Sequence, residues 1–428
     1  MPPLEPIQLL PMTPDRDETR AGLLSALGLA EGESAEAYMH YIKSAWTCQG
    51  EWNEFLHLFI DVVHHFHVRS TSQTAQPRIQ EYIDGLVNSQ AHTYFNDTVA
   101  GSGARITRVT EAVLPILGAW LLMHSYFILT RRDQRRVVFA YCVRQKHDYS
   151  EQKALGEPVP RLLSQSGLLP NAYEINGSEL NSLQDSSTDR IMEPFGLHDS
   201  VGLLESLSVN PNKLNAVRLS RLGGIKFTWT TNISRHLLLS KHGETNYLDL
   251  FALPCALQGD AGSILADMGI STELIDEIES SYATLFNPIT PSYLHTQLAK
   301  IWGFCYLCWC LHCGSYRLRK RVLGALNQSR GNDPARSDVK YDPTLEALMK
   351  RNATRWDQTE FKQLWPRISV LDIHLQQTRP WNFWVLFRDS RDTVQYWTFL
   401  FGSIILFLTV IQVILGAAQV TSGFLPQS

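Results

Sequence analysis

From Thr393 to Ser428 the chain carries no charged side chain, and inside that stretch Trp397–Ala418 reads WTFLFGSIILFLTVIQVILGAA. Coiled as a helix, this run measures about 33 Å, enough to cross a hydrocarbon core of about 30 Å. Its polar members Thr398, Ser403, Thr409 and Gln412 can return hydrogen bonds to the helix backbone or to a partner helix. An ionised side chain at mid-depth would cost about 2.5 to 3.5 kcal/mol. The buried helix of a soluble domain rarely stays uncharged on every face. A single transmembrane helix over 397–418 is therefore expected, with a short tail at 419–428.

The flanks give the expected direction. Arg379, Arg388 and Arg391 precede the span, whereas residues 419–428 contain no Lys or Arg, so the positive-inside bias places the N-terminal side in the cytosol. Trp381, Trp384, Tyr396 and Trp397 fall where amphipathic rings settle at headgroup level, and Pro380 marks entry to a short interfacial helix. Met1–Arg20 is broken by five prolines and has no basic segment followed by an apolar one, unlike a secretory signal. The expected class is a tail-anchored, single-pass membrane protein. The organelle stays open, because a tail anchor suits several membranes.

What precedes the span is long enough for one large or two ordinary domains. A net charge of −4, from 38 Lys and Arg against 42 Asp and Glu, gives no basic excess of the kind that nucleic-acid binding uses. No nucleic-acid partner is expected. Five glycosylation sequons, at Asn96, Asn176, Asn232, Asn327 and Asn352, would suit a lumenal domain, but the missing signal argues against that placement.

The body reads as α+β and mostly α-helical, with a small β-hairpin or sheet element. Its expected parts are a mobile leader at 1–20, a helical region at 21–160, a polar loop or linker at 161–200, an α+β region at 201–335 and a juxtamembrane segment at 336–396. Ala112–Thr130 is uncharged and precedes a run of arginines, so a second span is conceivable. Pro115, His124 and the topology favour a buried core helix followed by a strand over 137–143. Asn215–Thr231 shows two β-prone runs around Gly223-Gly224, a hairpin signal. A short helix is expected at Ile233–Ser240. Ser271–Phe286 reads as a helix with Ser271 as its N-cap and Asn287-Pro288 as its stop.

Two constellations bear on chemistry. On a helix over 53–67, His57, Asp61, His64 and His65 share one face, and two histidines with a carboxylate are zinc-type ligands. The same partition is what any amphipathic surface helix shows. In Ile301–Cys313, IWGFCYLCWCLHC, the four thiols Cys305, Cys308, Cys310 and Cys313 are spaced Cys-x-x-Cys-x-Cys-x-x-Cys. On a helix they fan out over about 200° and do not converge on one ion. Followed by Arg317, Arg319, Lys320 and Arg321, they suit either a palmitoylated, lipid-facing contact or a core helix with a solvated basic end. No Gly-x-Ser-x-Gly elbow, P-loop, HExxH, dinucleotide fingerprint or kinase signature is present, so no catalytic residue and no cofactor is assigned.

Three stretches carry a resemblance: TNISRHLLLS (231–240) with FALPCAL (251–257), WDQTEFKQLWPRI (356–368), and WNFWVLFRDSRDTVQYWTFLF (381–401). In these the chain resembles a family of membrane-anchored proteins of filamentous fungi, from about residue 100 onward. The resemblance implies a single span at the C-terminal end and brings no activity with it. Two readings follow. The first is a membrane-tethered interaction or scaffold module whose partners are the bilayer and membrane or cytosolic proteins. The alternative is a membrane-bound, metal-dependent enzyme acting on a lipid or membrane-delivered substrate, with the His57, Asp61 and His64 face or the Cys305 cluster as its metal site.

Overall fold

The computed structural model describes residues 14–45, 51–71, 77–89, 102–127, 155–165, 168–170, 208–287, 311–328, 341–378 and 393–424. Its N-terminal part is helical: α1 (Pro14–Ala26), α2 (Glu33–Ala45), α3 (Trp52–Thr71), α4 (Ile79–Ser89), α5 (Ser102–Trp120), α6 (His124–Phe127) and α7 (Val159–Gln165). The sequence dictates which face of each helix turns inward. On α3, Phe55, Leu56, Phe59, Val62, Val63 and Phe66 recur at helical spacing and are buried, while His57, Asp61 and His64 face out. On α5, Val109, Ala112, Val113, Ile116, Leu117 and Trp120 do the same.

Helix α1 begins at Pro14, within the stretch 1–20 expected as a leader, and Thr19 is buried near the His57 ring of α3. Helix α5 stops at Trp120 instead of running on to Thr130. Leu122 takes a left-handed φ of 56° there, and Gly118 lies where a Cβ would come within 2.9 Å of His124 Cα. Ala112–Met123 lies almost wholly in the core, which makes it a core segment as the sequence favours; the strand expected at 137–143 lies outside the described residues.

The second part brings β1 (Ser208–Val209), α8 (Ala216–Arg221), β2 (Ile225–Thr230), β3 (Leu238–His242), β4 (Thr245–Phe251), α9 (Gly259–Asp267), α10 (Thr272–Phe286), α11 (Leu311–Gln328), α12 (Pro343–Lys350), β5 (Trp356–Asp357), α13 (Trp365–Gln377) and α14 (Thr393–Phe424). The larger sheet has the order β2-β4-β3, with β4 central. Strand β2 runs parallel to β4, pairing Ile225 with Asn246 through Thr230 with Phe251. Strand β3 runs antiparallel, pairing Leu238 with Asp249 through His242 with Thr245.

The hairpin expected at Gly223-Gly224 is not there. Asn215 caps a helix by accepting the Arg218 N–H, and Gly224 at φ 63° turns the chain out of that helix into β2. The hairpin joins β3 to β4 through Gly243 and Glu244, with Gly243 at φ 59°. The helix expected at Ile233–Ser240 is a single 3-10 turn, Ile233–Arg235, after which the chain enters β3.

Strand β5 lies within the stretch expected as a juxtamembrane segment at 336–396, yet it pairs with β1, and the Trp356 indole donates to the Leu214 carbonyl at 2.9 Å. One hydrophobic cluster contains residues from Leu23 in α1 to Leu375 in α13. The helical region at 21–160, the α+β region at 201–335 and the first half of 336–396 therefore share a core.

Candidate functional site

Helix α14 differs from the other described helices in where its apolar surface goes. Leu400–Gln419 is long and apolar enough to cross a membrane, and it is not buried against the body. Among the described residues, the large apolar side chains left exposed all belong to α14, from Trp397 to Leu415, apart from Ile106 and Tyr316. Trp397 stacks on Phe401 with ring centroids 5.7 Å apart, at the end where an aromatic belt would lie. The Thr409 hydroxyl donates to the Ile405 carbonyl at 2.9 Å, the back-bond that lets a hydroxyl sit in an apolar helix. Arg379, Arg388 and Arg391, which set the expected direction, lie outside the described residues.

Three of the four candidate metal ligands stay on one face and the fourth leaves it. His57, Asp61 and His64 stand on the exposed face of α3, with His57 Nε2 3.5 Å from the Thr19 hydroxyl. His65 turns inward instead, its ring 4.4 Å from that of Tyr82. Among the described residues no three His, Cys, Asp or Glu side chains gather as a metal site. Cys305, Cys308 and Cys310 lie outside the described residues. Cys313 opens α11 with its thiol buried, which shields it from acylation. In the basic stretch, Arg319 donates to Asn287 Oδ1 and to the Met349 carbonyl, both at 3.0 Å, while Lys320 and Arg321 are exposed. Burial lowers the Arg319 pKa. That side chain is therefore a strut between elements and not a free surface cation.

The polar groups that do converge are buried, and sequence spacing did not reveal them. His236 Nε2 lies 2.7 Å from Ser281 Oγ, the distance of a base and its nucleophile. The protons run the other way. Nδ1 accepts the Phe251 N–H at 3.2 Å, so Nε2 carries the ring proton and donates it to Ser281, whose hydroxyl donates to the Ile278 carbonyl at 2.6 Å. Burial first, and then the Arg367 charge, lower the His236 pKa to about 3. This histidine is neutral, in the wrong tautomer to activate Ser281, and sealed from solvent. The pair holds β4 to α10.

Around it, Arg367 of α13 donates to the carbonyls of His236 and Ser234. Glu277 of α10 accepts the backbone N–H groups of Gln363 and Leu364 at 2.9 and 2.7 Å, capping α13, whose own N-cap Leu364 supplies no side-chain bond. Burial raises the Glu277 pKa above its ordinary 4.5, and those N–H groups pull the other way. Asp342 accepts from Cys255 N and, as the N-cap of α12, from Thr344 N, both at 2.9 Å. The Cys255 thiol is pushed up by burial and by Asp342, so it is inert. Asp249 receives Arg235 and the Thr228 hydroxyl. Of the sequons, Asn232 is buried, which keeps its amide from a glycosylating enzyme in the folded chain, and its side-chain oxygen accepts the Ser234 N–H and hydroxyl.

The hollow between Leu27, Tyr38, Trp120, Ala256 and Leu265 holds about 10 Å³, room for no more than a water molecule and far below the roughly 300 Å³ at which small-molecule sites begin. No protein-family model, no curated protein and no solved structure matches the chain. The exposed apolar helix α14 is thus the feature of the described structure that asks for a partner.

Proposed function

We propose that the protein is a single-pass membrane protein whose helix α14 crosses the bilayer and holds the folded body at the cytosolic face as an interaction or scaffold module. The observation that carries this reading is the exposed, uncharged length of α14. Apolar surface left in water costs about 25 cal/mol per Å², and a patch of this extent on a soluble protein drives association. A bilayer removes the whole surface at once, because the helix satisfies its own backbone groups. The orientation rests on Arg379, Arg388 and Arg391 before the span and on their lack after it.

Tethering raises the local concentration of the body near membrane or cytosolic partners, so weak contacts suffice and no catalytic group is required. The membership in a fungal membrane-anchored family is part of the same proposal. The stretches 231–240, 251–257 and 356–368, on which that reading rests, touch in the core through Arg367, Ser234 and His236.

Protease protection in sealed vesicles, with one tag before residue 1 and another after residue 428, tests the orientation. The proposal expects the first tag to be digested and the second spared. The reverse pattern would place the body in the lumen and overturn it.

A further inference from the structure

Four of the five hydrogen-bonding side chains between 398 and 419 fall on one repeat of α14. Thr398, Gly402, Ile405, Thr409, Gln412, Gly416 and Gln419 follow one another at alternating steps of four and three residues, with Ser403 alone off the repeat. At about 100° per residue these seven positions occupy an arc of about 100°. All seven are exposed, and no described part of the body covers them.

Gln412 makes this more than a row of small side chains. It lies about 4 Å along the axis from the middle of Leu400–Gln419. Thr409 satisfies itself on the Ile405 carbonyl, whereas the Gln412 carboxamide has no partner among the described residues. In hydrocarbon there is no water to take its two donors and its acceptor. A carboxamide is complementary to itself, since the oxygen of one accepts an N–H of the other. An identical helix brings that group to the same depth, and the glycines at 402 and 416 let two backbones approach closely on either side of it.

We infer that α14 pairs with α14 of a second copy of this chain through the seam Gly402, Thr409, Gln412 and Gly416. This rests on the reading of α14 as a membrane span. A repeat averaging 3.5 residues keeps the seam on the interface only if the helices wind left-handedly, crossing at about 20°. Gln412 then fixes register and orientation, because only a parallel pair puts the two carboxamides at one depth.

Full-length chains labelled with a donor or an acceptor fluorophore on the N-terminal end, reconstituted together in phosphatidylcholine vesicles, test the inference. Energy transfer is measured as lipid dilutes the protein, and flotation checks incorporation. The inference expects transfer above random proximity that falls reversibly with dilution. Gln412→Leu should weaken association roughly 3- to 10-fold, the size measured for hydrogen bonds between membrane helices. Gly416→Leu should also weaken it, Gln412→Asn should largely preserve it, and Phe407→Leu on the opposite face should leave it unchanged. Chains that float with the vesicles but transfer only at the random level, or that associate equally well with Leu at 412, overturn the seam and leave the anchor standing. Chains that fail to float overturn the anchor and the seam together.

Discussion

The guanidinium of Arg367 donates to the backbone carbonyl of His236, 131 residues earlier in the chain, and so fastens α13 to the turn between β2 and β3. It holds the Ser234 carbonyl at 2.7 Å in the same way. Buried acceptors left without a donor cost about 1 to 3 kcal/mol. Arg367→Ala should lower the unfolding free energy of the micelle-solubilised chain by at least about 2 kcal/mol, measured by urea denaturation. Arg367→Met, which restores the packed stem without the donors, should recover only part of it. Equal stability of Ala and wild type would show that these bonds contribute nothing.

The Glu277 carboxylate caps a helix that is not its own. Glu277→Gln turns one acceptor into a donor facing the N–H groups of Gln363 and Leu364, so a loss of about 1 to 3 kcal/mol is expected. Amide hydrogen exchange should locate it, with protection falling first at the start of α13. A uniform loss of protection would contradict the capping role.

His236 ties stability to pH. Its folded pKa of about 3 lies below the ordinary 6.5. Between those values the unfolded chain binds a proton that the folded chain refuses, so stability falls as pH drops, by about 1.4 kcal/mol per unit. Above 6.5 this contribution is constant. His236→Gln can keep a donor toward Ser281 and cannot ionise. Urea midpoints at pH 7, 6 and 5 should fall less steeply for that variant than for wild type, and parallel slopes would disprove the assignment.

Glycine positions separate strain from space. Gly28 has φ +67°, and a Cβ there would lie 2.7 Å from Ala261 N, so Gly28→Ala should cost at least about 2 kcal/mol. Gly85 sits inside α4 with no described atom within 4 Å of where a Cβ would lie, and Gly85→Ala should stabilise by about 0.5 to 1 kcal/mol. Thermal unfolding of the pair reads both signs.

What could be read from the sequence was what is local. Helix α10 begins and ends where expected, because Ser271 accepts the Leu274 N–H and Asn287 closes the last turn. The exposed helix α14 contains all of 397–418, since an uncharged run of that length has few other fates. The sheet was misplaced because a Gly-Gly pair punctuates a helix end as readily as a hairpin. The parallel pairing of β2 with β4 has no local signature. The same holds for His236, Ser281, Glu277 and Arg367, which meet across 45 to 131 residues of chain at no fixed spacing.

The most direct test of the account asks whether α14 lies in a bilayer. Membranes from cells making the full chain are washed with alkaline carbonate and sedimented, beside a Leu408→Arg variant that puts a cation near the middle of Leu400–Gln419. The account predicts that the wild-type chain stays in the pellet and that a larger share of the Arg variant is released. Wild-type protein washed fully into the supernatant would contradict it.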